Sequence, residues 1–77
     1  MDAQLPKVLR EAQAVFVAGL VREDQRRWTA YRDAHCAAIA SPYDGGSIQP
    51  FIVTECKTQL TVARIQGLRA DIAAERR

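Results

Sequence analysis

The residues able to do chemistry gather in two short stretches. One is Trp28-Thr29-Ala30-Tyr31-Arg32-Asp33-Ala34-His35-Cys36, with the only Trp, the only His, one of two Tyr and one of two Cys. The other is Glu55-Cys56-Lys57-Thr58, its cysteine twenty positions further on. His35 beside Cys36 is a pairing that a metal site or an activated thiolate would use. A protein metal site needs three or four ligands, and there is no second His. Asp33 and Asp44 are a carboxylate pair of the kind glycosidases use for acid–base work. One falls on a helical stretch and the other in a flexible turn, so no shared pocket is implied. No nucleophile, base and orienting group stand together. The chain is therefore read as a non-enzyme, with no catalytic, metal-binding or cofactor-binding residues.

Sulfur is the stronger signal. Between the two stretches lies Ser41-Pro42-Tyr43-Asp44-Gly45-Gly46-Ser47, the one clear turn signal in the chain. In an antiparallel helical hairpin, facing residues are equidistant from the turn. Cys36 and Cys56 each lie ten residues from Gly46, and both sit on the apolar side of their helix. An unbridged pair has no reason to mirror the turn, so a Cys36–Cys56 disulfide is expected. The competing reading is two small buried thiols in a reduced cytosol. A bridge implies periplasm or export. Closing this loop adds on the order of 3 kcal/mol by chain entropy. That is a large share for 77 residues, enough for one domain with a marginal core. Hydrophobic residues make up 48%, but many are Ala, and aromatics are only 6%, so large core anchors are few.

The elements that must position these residues follow from spacing. Pro6 suits a first helical turn. Leu5, Leu9, Ala12, Phe16, Gly19 and Leu20 then recur in steps of three and four, with Val8 and Val15 widening the stripe. Arg22–Arg27 contains no apolar residue. The helix is expected to run on through it in solvent, because all but Asp24 are good helix formers and Glu23 can pair with Arg26 or Arg27. A bend near Gly19 is the alternative. Trp28, Tyr31, His35 and Ile39 continue the helical spacing to about residue 40, where Ser41-Pro42 ends it. A turn over 41–50 leads into a second helix over about 51–75. Val53, Cys56, Leu60, Ala63, Gly67 and Ala70 mark its seam, flanked by Ile52, Ile65, Leu68 and Ile72. The expectation is an all-α fold over residues 1–77, an antiparallel hairpin with one disulfide.

The same register sets Trp28 opposite Arg64, Tyr31 near Thr61, Ile39 near Val53 and Leu68 level with Asp24. Arg64 on Trp28 would make a cation–π contact of roughly 0.5–2 kcal/mol. A straight first helix would overhang its partner by two to three turns, leaving an apolar stripe uncovered. A homodimer through Leu5, Leu9, Ala12 and Phe16 is the favoured cover. A fold-back at Gly19, giving a three-helix bundle, is the alternative.

Composition narrows the partners. The net charge is +2, with 11 basic and 9 acidic residues interspersed, which is not the one-sided basic face of a nucleic-acid binder. No run approaches the roughly 20 apolar residues of a membrane span. The Met1-Asp2 opening has no charged-then-apolar leader, so an exported form is expected to have lost its signal peptide.

With these pieces in place, Gln25, Trp28, Tyr31-Arg32-Asp33 and Cys36, then Gly45-Gly46-Ser47, then Cys56, Thr61, Arg64 and Leu68, resemble the lysozyme-inhibitor LprI-like domain family. The resemblance covers about residues 20 to 70. The pattern is a Gln-x-x-Trp-x-x-Tyr-Arg-Asp-x-x-Cys helix, a Gly-Gly-Ser turn, and a Cys helix followed by Thr-x-x-Arg. Each piece alone is weak, and the combination is specific. The chain departs from it in lacking a further cysteine and a Leu-Asn-x-x-Tyr element near the start, and in having Asp24 before the Gln. The resemblance implies an all-helical, exported bacterial domain with a Cys36–Cys56 bridge, in a family whose founding member inhibits lysozyme.

Two surfaces are candidates for partner contact. Asp44, Gly45, Gly46 and Ser47 could enter an enzyme cleft, against the plainer reading of a simple turn. Arg22, Arg26 and Arg27 could meet an acidic partner such as a lysozyme with an anionic cleft, against the plainer reading of a solvated face. Trp28, Tyr31 and Arg32 are the residue types of binding hot spots, but their helical spacing on the apolar face points to core packing. The expected function is an exported protein-binding module, with a lysozyme as the candidate target for inhibition. The alternative is a structural or stabilising envelope domain that dimerises and has no inhibitory activity.

Overall fold

Three helices and one tight turn account for residues 3–76, which the computed structural model describes. Helix α1 spans Gln4–Val15, α2 Ala18–Ala40 and α3 Gln49–Glu75, with a single 3-10 turn at Ser41–Tyr43 between α2 and α3. There is no strand among the described residues. The body measures 47 × 20 × 18 Å. Pro50 lies in the first turn of α3, where its missing N–H leaves no hydrogen bond unmade.

Helices α2 and α3 form the antiparallel hairpin. Ser41 caps the end of α2 through its hydroxyl, which donates to the Ala38 carbonyl at 2.7 Å. The chain then reverses at Gly45, whose φ of +78° is the left-handed conformation that glycine adopts without steric penalty. Gly46 is needed for a different reason. A Cβ there would stand 3.1 Å from the Tyr43 carbonyl oxygen, the same oxygen that accepts the Gly46 N–H at 2.9 Å. Beyond the turn the helices are joined by the Cys36–Cys56 disulfide, with the two Cα atoms 5.5 Å apart. Cys36 is completely buried.

The first helix departs from the sequence expectation. It is not one rod from 6 to 40. Phe16 (φ −107°, ψ 169°) and Val17 (φ −61°, ψ 117°) are extended and divide it. The chain folds back just before Gly19, which gives the three-helix arrangement named as the alternative, and α2 runs unbroken through Arg22–Arg27, as expected. The reversal lays α1 on the other helices. Val8 and Ala12 are fully buried against Val21 of α2 and Ile65, Leu68 and Ile72 of α3. Leu5, Leu9, Val15 and Phe16 pack half-buried around them. The stripe assigned to a second copy is therefore covered by the chain's own α3. Magnitudes favour this outcome. Fully burying a Val, Leu or Phe gains about 1.5–3 kcal/mol, and α1 buries several, whereas the break leaves the N–H groups of Val17, Ala18 and Gly19 without helical partners at about 1 kcal/mol each.

The seam of α3 also needs correction. Ala63, Gly67 and Ala70 are exposed, and Thr61, Ile65, Leu68 and Ile72 are the buried positions. Both sets repeat by three and four. The larger side chains turn inward because α1 gives them a third surface to fill. The half of the hairpin near the turn has no such third helix. It is two helices thick, buries Cys36 and Ala40, and relies on the disulfide.

Candidate functional site

The motif residues assemble on one side of the hairpin, where they lock α2 to α3. Arg64 is the hub. Its Nε donates to Gln25 Oε1 at 3.1 Å and its Nη2 to Asp24 Oδ2 at 2.9 Å. Its guanidinium carbon lies 5.6 Å from the Trp28 ring centroid, and that of Arg32 lies 5.2 Å from the same ring. Half-buried Trp28 is thus held by two cations, one from each helix. Arg32 Nε then donates to Asp33 Oδ1 at 3.0 Å, and Lys57 of α3 approaches the same oxygen at 3.6 Å. The Arg32 hydrogen bond, with a smaller contribution from Lys57, holds the Asp33 carboxyl below the usual range. Buried Thr61 donates its hydroxyl to the Lys57 carbonyl at 2.7 Å, so the polar group is satisfied.

Tyr31 does not belong to this lock or to the core. It is 55% exposed and stacks on His35, the ring centroids 5.5 Å apart. Its five-residue offset from Cys36 turns it by about 140° around the helix. A two-helix segment has one seam, and a side chain so far round cannot reach it. Ile39 is exposed for the same lack of a third helix.

The basic patch is partly neutralised. Glu23 accepts from Arg26 Nη2 at 2.6 Å and from Arg27 Nε at 2.8 Å. Arg26 Nε also donates to Glu23 Oε2 at 2.9 Å, and these hydrogen bonds, those of Arg26 first, pull the Glu23 carboxyl down to about 2. The same contact raises Arg26 above its ordinary value. Arg22 stays outside the Glu23 cluster. Roughly 20 Å of helix separates Arg26 from the turn, so the two candidate surfaces do not form one site.

The turn end carries the other candidate surface. Asp44, Gly45, Gly46 and Ser47 are all exposed, and around them so are Ile39, Tyr43, Ile48 and Phe51. Phe51 is 74% exposed. Val17 and Leu20 are the exposed apolar counterparts at the opposite end. Sequence reasoning missed Tyr43, Ile48 and Phe51. The available signal was Phe51 directly after Pro50, in a first turn beyond the reach of the opposite helix. Among the described residues no three His, Cys, Asp or Glu gather as a metal site would require, and no helix is long and apolar enough to cross a membrane.

The chain is 32% identical over 65 residues to a Rhizobium meliloti (strain 1021) protein described as "Uncharacterized protein R02472", covering 82% of this chain and 47% of the relative. It therefore spans about half of that relative's length. No solved structure matches it. The family described as Lysozyme inhibitor LprI matches residues 1–68, which take in α1, the break, the disulfide-linked hairpin and the Trp28–Arg64 lock. With its stapled helices and that motif in place, the chain belongs to the lysozyme inhibitor LprI family.

Proposed function

We propose that the chain is an exported protein-binding module that inhibits a lysozyme with its turn end. The observation that carries this reading is Phe51, three-quarters exposed beside a glycine turn on a braced scaffold. Aromatic side chains bury a large area in a cleft at low entropic cost. The Cys36–Cys56 bridge lies close behind this end and holds it before contact. Preorganisation of that kind lowers the ordering cost of binding. The body is elongated, 47 Å long with short axes of 20 and 18 Å, and presents the turn at one end, which suits insertion into a groove. Inhibition would then be steric, by occupying the cleft. Arg22, with the partly neutralised Arg26 and Arg27, would steer approach to an anionic enzyme surface and add little affinity.

A disulfide-bonded chain of this size belongs in an oxidising compartment, so the periplasm or the medium is the expected location. Family membership supports the inhibitor role. The rival reading, a dimerising structural domain, relied on an α1 stripe that α3 now covers. The test is a titration of lysozymes of several classes with the oxidised protein. Loss of muramidase activity at micromolar concentrations against at least one class is expected. Full activity throughout would remove the inhibitor reading.

A further inference from the structure

We propose that the groove at the end opposite the turn is a second docking site, for a cationic amphipathic peptide segment of a partner protein. The groove lies between the first turns of α2 and the last turns of α3 and encloses about 550 Å³. Phe16, Val17, Leu20 and Leu68 supply its apolar lining. Val17 and Leu20 are 67% and 69% exposed, although each sits beside the fully formed core. The rim carries Asp24, Asp71 and Glu75, and no basic side chain lines the groove. Asp24 is paired with Arg64, whereas Asp71 and Glu75 have no ion pair among the described residues.

An apolar floor under a carboxylate rim selects its occupant by charge. A helix that presents apolar side chains at three- and four-residue spacing, flanked by Lys or Arg, satisfies both parts. A second copy of this chain does not. A two-fold interface sets the same patch against itself, which would bring two carboxylate-rimmed grooves of like charge together. An anionic membrane surface would be repelled by the same rim. The site is independent of the turn-end reading, from which the long axis of the bundle separates it.

The test uses the whole oxidised chain and two synthetic peptides of about four helical turns. One has Leu at helical spacing with Lys elsewhere, and the other has Glu in place of Lys. Fluorescence anisotropy is expected to show the Lys peptide binding at least about tenfold more tightly than the Glu peptide. NMR shifts should concentrate on Val17, Leu20 and Leu68. Leu20→Gln, at an exposed helical position, should weaken the Lys peptide by about tenfold. Asp71→Lys with Glu75→Lys should reverse the preference between the peptides. Equal binding of both peptides, or shifts elsewhere on the surface, would overturn the proposal. So would a dimer in sedimentation that Leu20→Gln dissociates, because the groove would then belong to a second copy.

Discussion

Arg64 of α3 lies over the Trp28 ring of α2, 5.6 Å from its centroid, while its own nitrogens bind Asp24 and Gln25. One side chain thus makes three interhelix contacts of different kinds. The Arg64 side chain is only 14% exposed, although Asp24 is 61% exposed. Its worth therefore lies mainly in the ring contact and the Gln25 hydrogen bond, not in the screened ion pair. Arg64→Ala should lower stability by about 2 kcal/mol. Arg64→Lys should recover less than half, because an ammonium has no planar fork to stack and donate together. Urea unfolding followed by the fluorescence of Trp28, the sole tryptophan, measures both.

Removing the disulfide should cost more. Cys36→Ala with Cys56→Ala, or reduction of the native chain, should lower stability by about 3 kcal/mol. The loss should fall on the half of the hairpin near the turn, which α1 does not cover. Hydrogen exchange along α2 would locate it there. Uniform loosening from the α1 end instead would contradict the division into a three-helix half and a stapled half.

Ala12 is fully buried in the contact between α1 and α3. Ala12→Leu should overpack that contact and cost about 1–3 kcal/mol. Because the contact lies within one chain, the loss should not depend on protein concentration. A stability that rises with concentration would return the α1 stripe to a dimer interface.

Acid should act through Glu23. Its carboxyl is held down to about 2, from an ordinary value of 4.5, by Arg26 and then Arg27. A carboxyl whose folded value is depressed contributes stability that is complete above its unfolded value and lost as pH falls through the folded one. The linked contribution therefore disappears between about pH 4.5 and 2. The Glu23 side chain is 42% exposed, so salt should weaken the effect and move the midpoint upward. An NMR titration should place the Glu23 midpoint near 2 at low salt. A midpoint at 4.5 would mean that the arginine contacts do not persist in solution.

The parts of this fold that were legible in the sequence are those fixed by register. Cys36 and Cys56 are equidistant from the turn, and the same relation pairs Trp28 with Arg64. An antiparallel hairpin leaves little freedom once its turn is identified. A fold-back near Gly19 was legible only as the alternative to a continuous helix, and its placement at Phe16-Val17 was not, because neither residue is a helix breaker. It arises from tertiary packing, since α1 gains more by lying on Ile65, Leu68 and Ile72 than by extending α2. Gly19 drew attention as a hinge and lies inside α2. Tyr31 looked like core on spacing alone, and the exposure of Phe51 was not anticipated. Their exposure follows from the absence of a third helix at the turn end, which no local pattern reveals. The turn itself was a candidate from its glycines, but its apolar flanks emerged only once the buried face of α3 was known.

Phe51→Ala is the most direct test of the account. Phe51 is exposed, so the variant should keep the melting temperature of the parent. If the turn end enters a lysozyme cleft, the variant should inhibit at least about tenfold less well, as expected for an aromatic anchor at an interface. Equal inhibition by parent and variant at equal stability would contradict the turn-end mechanism.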